Sequence, residues 1–373
     1  MRYEYISADN HLDSRWLPRN VWQDRVAAKF KDLAPRIVDH PEKGSIWQWE
    51  GGTLGMPAAD GSHNKTLQEK FFPGIKLNPG DLPPAQPRLI IEHMDMAKCY
   101  AGVIYNDTRK WLVKDPELLL TIYRAYNDFL IDELCAYSPD RIIALPVLPT
   151  ALPEACPAEL ARVIKKGAKG VEFGMFDVGQ PVYEPVWEPV WKMAAEAGIP
   201  ICCHIGDKAG TPYPPNKFGS SLAHFSVTPF VLARPMAQFV FCGALERNPT
   251  LNVSFAECRI GWLPFFISWM DRQVHERPAD PTAKLSMLPS EYIKRNVTFT
   301  FEEDLIGARL IPHEWAMIKD CVVWGSDYPH EQGAWPDADA AMEKMFGGLD
   351  PKLKREIVFD HAARIFHIQG GRA

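Results

Sequence analysis

The sequence predicts a single α/β domain, a (β/α)8 TIM barrel, and the spacing of its apolar segments carries that prediction. Eight short apolar runs recur along the 373 residues, as expected for parallel strands covered on both faces. Longer amphipathic segments separate most of them. Eight such units match a closed barrel, whereas a doubly wound sheet has about five to seven strands. The predicted strands are 3–8, 101–106, 141–146, 170–173, 200–204, 251–257, 296–301 and 321–326, and the predicted helices are 115–136, 153–166, 185–197, 226–247, 262–276, 305–319 and 351–366.

The connection from 17 to 86, between the first and second strands, is too long for an ordinary loop. It leaves the carboxyl end of the first strand, the side of a barrel where enzymes place their sites. We therefore predict one domain over residues 1–373, in which 17–86 caps this face and Trp47 and Trp49 contact the substrate. The alternative is a surface excursion that shields the side of the barrel.

Composition and charge exclude several classes of protein. The net charge is −6 and the pI is about 6.0, without the basic stripe of a nucleic-acid-binding protein. Neither an apolar run of membrane-spanning length nor a secretory signal is apparent, so we expect a cytoplasmic protein without a membrane partner. The eight cysteines form no C-x-x-C pair and are expected to be reduced thiols.

Side chains that commonly bind metals follow several predicted strands. They are Asp9 and His11 just beyond the first strand, His204 and Glu257 as the last residues of the fifth and sixth, and Asp327 just beyond the eighth. Residues two apart on a strand share a face, so Asp9 and His11 should point the same way. Burying these groups would be costly unless they are paired or bind a cation. Two histidines and two or three carboxylates suit Zn²⁺, Fe²⁺ or Mn²⁺.

Several motifs together resemble the amidohydrolase-related family, the branch of the amidohydrolase superfamily that includes aminocarboxymuconate-semialdehyde decarboxylase. They are the D-x-H of the first strand, H-I-G of the fifth, E-C-R-I-G-W-L-P of the sixth, G-S-D-Y-P-H of the eighth and the terminal A-A-R-I-F. The segment LPSEYIKRNVTFTFEED is similar to the seventh strand of that group and its approach. The resemblance runs along nearly the whole chain, with 17–86 the least covered.

The resemblance implies a metal held by Asp9, His11, His204 and Asp327, and it implies that Asp327 accepts a proton from the water that attacks the substrate. Decarboxylases of this family usually carry H-x-H on the first strand and a histidine on the sixth, where this chain has Asp9 and Glu257. The extra carboxylates favour Glu257 as a ligand and allow one or two divalent ions, with Zn²⁺ preferred. His361 replaces the usual asparagine and is expected to make a structural hydrogen bond.

Metal-assisted hydrolysis of an amide, lactone, ester or thioester is the function that these residues favour. His330 or Arg259 would stabilise the oxyanion, and His224 and Glu302 would contact the small-molecule substrate. One alternative is non-oxidative decarboxylation of an aromatic or unsaturated acid. Another is a metal-bearing binding protein without catalysis. A homodimer is a further possibility. Glu172, on the fourth strand, is interpreted as an ordinary strand-end residue rather than as a bridging ligand.

Overall fold

The computed structural model of the chain describes residues 3–55, 57–60, 70–107, 111, 113–175, 178–205, 219–277 and 284–371. Its strands are β1 (Tyr5–Leu12), β2 (Arg36–His40), β3 (Gly44–Trp49), β4 (Gly52–Gly55), β5 (Cys99–Asn106), β6 (Ile142–Ala144), β7 (Val171–Glu172), β8 (Ile201–His204), β9 (Val253–Ala256), β10 (Val297–Phe301) and β11 (Val322–Trp324). The eight predicted strands are confirmed as β1 and β5 to β11.

Helices follow most of these strands. They are α1 (Pro87–Met96), α2 (Pro116–Phe129), α3 (Cys156–Lys165), α4 (Glu188–Ala197), α5 (Ser220–Val227), α6 (Ala233–Phe241), α7 (Ala244–Arg247), α8 (Leu263–Glu276), α9 (Pro289–Asn296), α10 (Leu305–Leu310), α11 (Ala338–Phe346), α12 (Pro351–Arg355) and α13 (His361–Ile365). No helix among the described residues is both long and apolar enough to cross a membrane.

The parallel strands form two sheets, β1-β5-β6 and β7-β8-β9-β10-β11. Isolated parallel bridges join their edges, Asn10 to Tyr328 at one seam and Val147 to Glu172 at the other. At the first seam the His11 amide donates to the Tyr328 carbonyl at 2.7 Å. The predicted α/β fold is therefore confirmed. The first and last strands of the chain are neighbours, and their carboxyl ends lie side by side.

Two predicted helices are wrong in their extent. The segment 226–247 contains the end of α5, then α6 and α7, because Pro229 and the left-handed Gly243 interrupt a continuous helix. The helix predicted over 305–319 ends at Leu310, since Pro312 cannot continue the hydrogen-bond ladder. In both places proline overrides an amphipathic pattern that would otherwise favour a longer helix.

The segment 17–86 contains a small antiparallel sheet, β2-β3-β4, that the sequence did not predict. Its strand β3 presents Trp47 to a cluster of indole rings with Trp22 and Trp111, whose centroids lie 5.0–5.6 Å apart. The Trp47 indole nitrogen donates to the Ser14 carbonyl at 3.1 Å, just beyond β1. This packing anchors the segment to the carboxyl end of the first strand.

A second contact of this segment lies near the end of β11. Phe72 packs against His93, Tyr328 and Trp335, at centroid distances of 5.4–6.1 Å. The Nδ1 atom of His93 lies 2.9 Å from the Tyr328 hydroxyl, and the ring stacks on Trp335. Burial away from water lowers the pKa of His93 to about 4, since the protonated imidazole would lose its hydration.

The buried His93 should make the stability of the fold depend on pH. Between about pH 6.5 and pH 4 the unfolded chain takes up a proton at this position that the folded chain refuses. The free energy of unfolding is therefore expected to fall by about 3 kcal/mol as pH decreases through that window. Urea unfolding at a series of pH values measures it. His93→Gln should flatten this part of the profile, whereas exposed His275→Gln should leave it unchanged. An identical slope in His93→Gln would contradict the assignment.

Candidate metal centre

The structure brings four of the predicted ligands together at the carboxyl ends of β1, β8 and β11. The His11 Nε2 atom lies 3.4 Å from Asp9 Oδ1 and 2.9 Å from Asp327 Oδ1. The His204 Nε2 atom lies 3.5 Å from the same Asp9 oxygen. Two groups of ligand atoms lie within 4.8 Å of one another and could hold a cation: Asp9 with His11 and His204, and His11 with Asp327 and His330.

These side chains are aimed inward by hydrogen bonds on their outer sides. The Thr300 hydroxyl, on β10, donates to Asp9 Oδ2 at 3.1 Å and leaves Oδ1 facing the centre. The Nδ1 atom of His204 lies 2.6 Å from the Ile205 carbonyl, so Nδ1 donates this hydrogen bond and Nε2 faces the centre. Hydrogen bonds of this kind fix the orientation and tautomer of metal-binding histidines.

Four buried atoms of the cluster, Asp9 Oδ1, His11 Nε2, His204 Nε2 and Asp327 Oδ1, each lie 2.9–3.5 Å from at least one other of the four but make no hydrogen bond of normal geometry among the described residues. Buried polar atoms almost always have a partner, because an unmet one costs about 1–3 kcal/mol. Here one such atom from each of these four ligands faces a common centre. Two imidazole nitrogens and two carboxylate oxygens are a donor set suited to a divalent transition metal. The residues present therefore fit a metal.

A glycine allows β11 to approach β1 at this point. A Cβ atom at Gly325 would lie 2.5 Å from the Cβ atom of Asp9, closer than such atoms ever pack. The Asp327 amide donates to the Asp9 carbonyl at 2.9 Å, two residues further along. The glycine of the G-S-D motif is thus required for Asp9 and Asp327 to lie side by side.

Three predicted site residues have left-handed backbones. The φ angles of Glu257, Arg259 and Asp327 are 57°, 53° and 56°. Such φ angles are uncommon for residues other than glycine. Each costs about 1–3 kcal/mol of conformational free energy unless a local contact of the side chain compensates for it. These turns directly follow strands β9 and β11, at the cluster, and the surrounding structure must stabilise their backbone conformations.

The charges of the cluster stabilise one another. Burial by itself would raise the pKa of Asp9, but His204 and His11 outweigh it and hold that pKa far below its ordinary value. Burial would lower the pKa of His11, yet the Asp327 and Asp9 carboxylates raise it well above the usual value. The pKa of Asp327 is lowered, because His11 and His330 outweigh the effect of burial. Ionised carboxylates are therefore ready to bind a cation.

Glu257 is the fifth predicted ligand and lies at the edge of this group. Its Oε2 atom is 3.3 Å from His204 Nε2. Burial raises the pKa of Glu257, with His204 opposing the shift and the carboxylates of Asp327 and Asp9 adding to it. A positive charge nearby would relieve that repulsion. Glu257 is close enough to reach a cation bound by His204 and Asp9.

Asp13 is a site residue that the sequence analysis missed. Its carboxylate lies 3.5 Å from His330 Nε2, while His330 Nδ1 lies 2.8 Å from Asp327 Oδ1. The His330 ring also stacks on His11 at a centroid distance of 4.0 Å. The alternation that puts Asp9 and His11 on one face extends to residue 13, so the signal was present in the sequence.

Arg259 and Glu302 form an ion pair beside the cluster. The Glu302 side chain is only 3% exposed, whereas the Arg259 side chain is one-third exposed. Arg259 therefore forms its ion pair with Glu302 and not with Glu257, two residues before it. Asp304 stabilises the turn that follows Arg259. Its Oδ2 atom accepts hydrogen bonds from the backbone amides of Ile260 and Gly261, both at 2.7 Å. Asp304 thereby positions the loop that follows Glu257.

The other predicted substrate contacts lie outside the two groups that could hold a cation. Trp47 is fully buried in the indole cluster, and Trp49 packs against Trp111 at 4.8 Å. His224 lies on α5, with its ring 5.6 Å from Phe225. Gly206 of the H-I-G motif lies outside the described residues.

Glu172 and His361 both make structural hydrogen bonds. Glu172 Oε2, on β7, accepts from the amide and side chain of Asn106 at the end of β5, at 2.9 and 3.1 Å. His361 Nδ1 lies 3.0 Å from the Val322 carbonyl at the start of β11. The expected structural hydrogen bond of His361 is thus present.

The comparison with protein families matches residues 105–368 to the amidohydrolase family. Among curated proteins there is no match.

Solved structures similar over the full chain include an amidohydrolase from Mycobacterium avium subsp. paratuberculosis K-10, with 20% identity, a TM-score of 0.76 and complete coverage of both chains. A 2,6-dihydroxybenzoate decarboxylase from Rhizobium has 17% identity and a TM-score of 0.63, with 99% of this chain and 100% of that chain covered. A dihydroxybenzoic acid decarboxylase from Polaromonas sp. JS666 with bound manganese has 15% identity and a TM-score of 0.64, with 100% and 98% covered. At these identities the likeness establishes the fold.

Glu302 and its neighbour Glu303 provide a matched test of the buried ion pair. Glu302→Gln leaves the Arg259 charge without its buried partner and is expected to lower the free energy of unfolding by about 2 kcal/mol. Glu303→Gln removes an exposed pair with Lys344 and should change it by less than about 1 kcal/mol. Chemical denaturation of both variants gives the comparison. Equal losses would show that the buried pair contributes no more than the surface pair.

Proposed function

Because the chain belongs to the amidohydrolase family, we propose that it is a divalent-metal-dependent hydrolase of small carbonyl compounds. The observation that carries this proposal is the convergence of four buried ligand-type atoms, one each from Asp9, His11, His204 and Asp327. The proposed architecture is a closed (β/α)8 barrel, supported by the bridges that join both pairs of sheet edges. Segment 17–86 would cap the end of the barrel that carries the site.

In this proposal Asp9, His11, His204 and Asp327 hold the cation and Glu257 is an additional ligand. The 3.3 Å approach of Glu257 to His204 supports that assignment. Zn²⁺ and Mn²⁺ both accept histidine and carboxylate ligands. The manganese bound in the decarboxylase from Polaromonas makes Mn²⁺ a practical first choice for reconstitution.

A divalent cation, when bound, polarises a carbonyl oxygen and makes water more acidic. The protein residues then perform the proton transfers and orient the substrate. Asp327, 2.8 Å from His330 Nδ1, is placed to accept the proton of the attacking water and return it to the leaving group. His330, which contacts Asp327, and Arg259, which pairs with Glu302, are the proposed donors to a developing negative charge.

Decarboxylation of an aromatic or unsaturated acid is the second candidate. Two of the three solved structures described above are decarboxylases of dihydroxybenzoates. The part-exposed Arg259 could bind the carboxylate of such a substrate, because its planar guanidinium matches that group. Against it stands Glu257, because decarboxylases of this family usually carry a histidine at that position.

The metal assignment predicts which variants lose their metal. Asp9→Asn and His204→Gln should weaken Mn²⁺ and Zn²⁺ binding at least tenfold, because each removes one of few ligands. Calorimetric titration and elemental analysis of protein purified without chelator measure affinity and stoichiometry. His361→Asn is the matched control and should bind metal normally. Glu257→Gln tests the additional ligand: a reduced affinity or stoichiometry supports ligation, and unchanged values would exclude it.

The role of Asp327 predicts a separation of binding and turnover. Asparagine adopts left-handed backbone readily, so Asp327→Asn should preserve the turn and most of the metal. We expect turnover to fall at least about a hundredfold, the usual contribution of a general base. Retained turnover in Asp327→Asn would place the base elsewhere.

Reactions of lactones, aryl esters and 2,6-dihydroxybenzoate in H₂¹⁸O distinguish the two candidate functions. Hydrolysis places ¹⁸O in the acid product, whereas decarboxylation releases CO₂ and leaves the ring product unlabelled.

A further inference from the structure

The imidazole ring of His330 lies between two carboxylates. Its Nδ1 atom is 2.8 Å from Asp327 Oδ1, and its Nε2 atom is 3.5 Å from each carboxylate oxygen of Asp13. The two ring nitrogens are distinct, and the partner of one nitrogen sets the direction in which the other points. The contact with Asp13 therefore bears directly on which atom of His330 faces Asp327.

A second contact of the ring sets its plane but not its direction. His330 stacks on His11 at a centroid distance of 4.0 Å, with 20° between the two ring planes. A half-turn of the His330 ring about its Cβ–Cγ bond would preserve this stacking, yet it would exchange each nitrogen for a carbon. The two carboxylates distinguish these orientations, because only ring nitrogens can donate hydrogen bonds to them.

The turn that carries Asp13 is anchored by its neighbour Ser14. The Ser14 amide and hydroxyl donate to the Asp107 carboxylate, both at 2.8 Å, and the Ser14 carbonyl accepts from the Trp47 indole at 3.1 Å. Among the residues that the structure describes, the Asp13 carboxylate makes no capping hydrogen bond to the helical turn that follows it. The backbone is thus fixed without the Asp13 carboxylate, which contacts His330 instead.

We propose that Asp13 is a positioning residue, which by contacting Nε2 of His330 keeps Nδ1 directed at Asp327. The inference rests on the proposed function, in which Asp327 accepts a proton from water. An Nδ1–H group directed at Asp327 fixes the orientation of that carboxylate, as hydrogen bonds to such carboxylates generally do. Asp13 belongs to neither of the two groups described above that could hold a cation, so it acts through His330.

Crystal structures of the wild type and of Asp13→Ala at about 1.2 Å, where ring hydrogens become visible, test the positioning without reference to any reaction. In Asp13→Ala the His330 ring should turn, with Nδ1 moving beyond about 3.5 Å from Asp327, too far for a hydrogen bond. Arg15→Gln is the matched control, because Arg15 is the other charged neighbour of Asp13, at 3.6 Å. It should leave the ring in place. A ring that keeps its orientation in Asp13→Ala overturns the proposal.

The effect on turnover is measured with whichever of a lactone, an aryl ester or 2,6-dihydroxybenzoate the wild type converts. Asp13→Ala should lower kcat at least about tenfold, while KM and the Mn²⁺ dissociation constant change less than about threefold. Asp13→Asn should lower kcat less than Asp13→Ala, because its carbonyl oxygen still accepts from Nε2. Arg15→Gln should change kcat less than about threefold. Unchanged far-UV circular dichroism shows that the variants fold.

A double-mutant cycle separates action through His330 from a general effect on the fold. In a His330→Gln background, Asp13→Ala should cause no further loss of kcat, since both substitutions remove the same contact. Additive losses overturn the proposal, and so does a loss in Asp13→Ala no larger than that in Arg15→Gln. Conversion of none of the three substrates by the wild type would count against the proposed function alone, and the crystal structures would still decide how His330 is positioned.

Discussion

The carboxylate of Asp9 is completely buried, and a buried charge must be compensated by neighbouring groups. Its compensation involves residues from distant parts of the chain. Thr300 donates to one oxygen, while His11 and His204 lie near the other. The close approach of Gly325 leaves no room for a larger residue on the last strand. The arrangement of β1, β8, β10 and β11 thus depends on accommodating this one charge.

The loops that follow the strands divide into two kinds. The turns at Glu257 and Asp327 have left-handed backbones and are held by defined contacts, with Asp304 fixing the first of them. These turns fix the distances between the charged side chains of the candidate metal centre. By contrast, every residue of α5 is at least partly exposed.

The strand order and the proximity of the ligands could be predicted from the sequence because both follow from local periodicity. Apolar runs mark the strands, and alternation places Asp9 beside His11. Pairings between distant residues carry no such signal. The partner of Arg259 is Glu302 on the neighbouring strand, which neither spacing nor charge distinguishes from Glu257 two residues away.

Other features were missed for specific physical reasons. The antiparallel sheet of 17–86 has short strands with glycines in or beside them and prolines next to β2, and both residue types favour a loop. The role of Asp13 required extending the alternation of β1 beyond the end of the strand. The length of α10 was misjudged because amphipathic spacing continued past Pro312.

The seam between β1 and β11 has a consequence for how the protein is made. Asp9 and His11 leave the ribosome early, whereas Asp327 and His330 are among the last parts of the domain to be translated. A nascent chain that lacks β11 has only part of the ligand set and an open sheet edge at β1. Completion of the ligand set and completion of the sheet are therefore late events that coincide. Premature termination would yield a chain deficient in both, with the edge of β1 exposed.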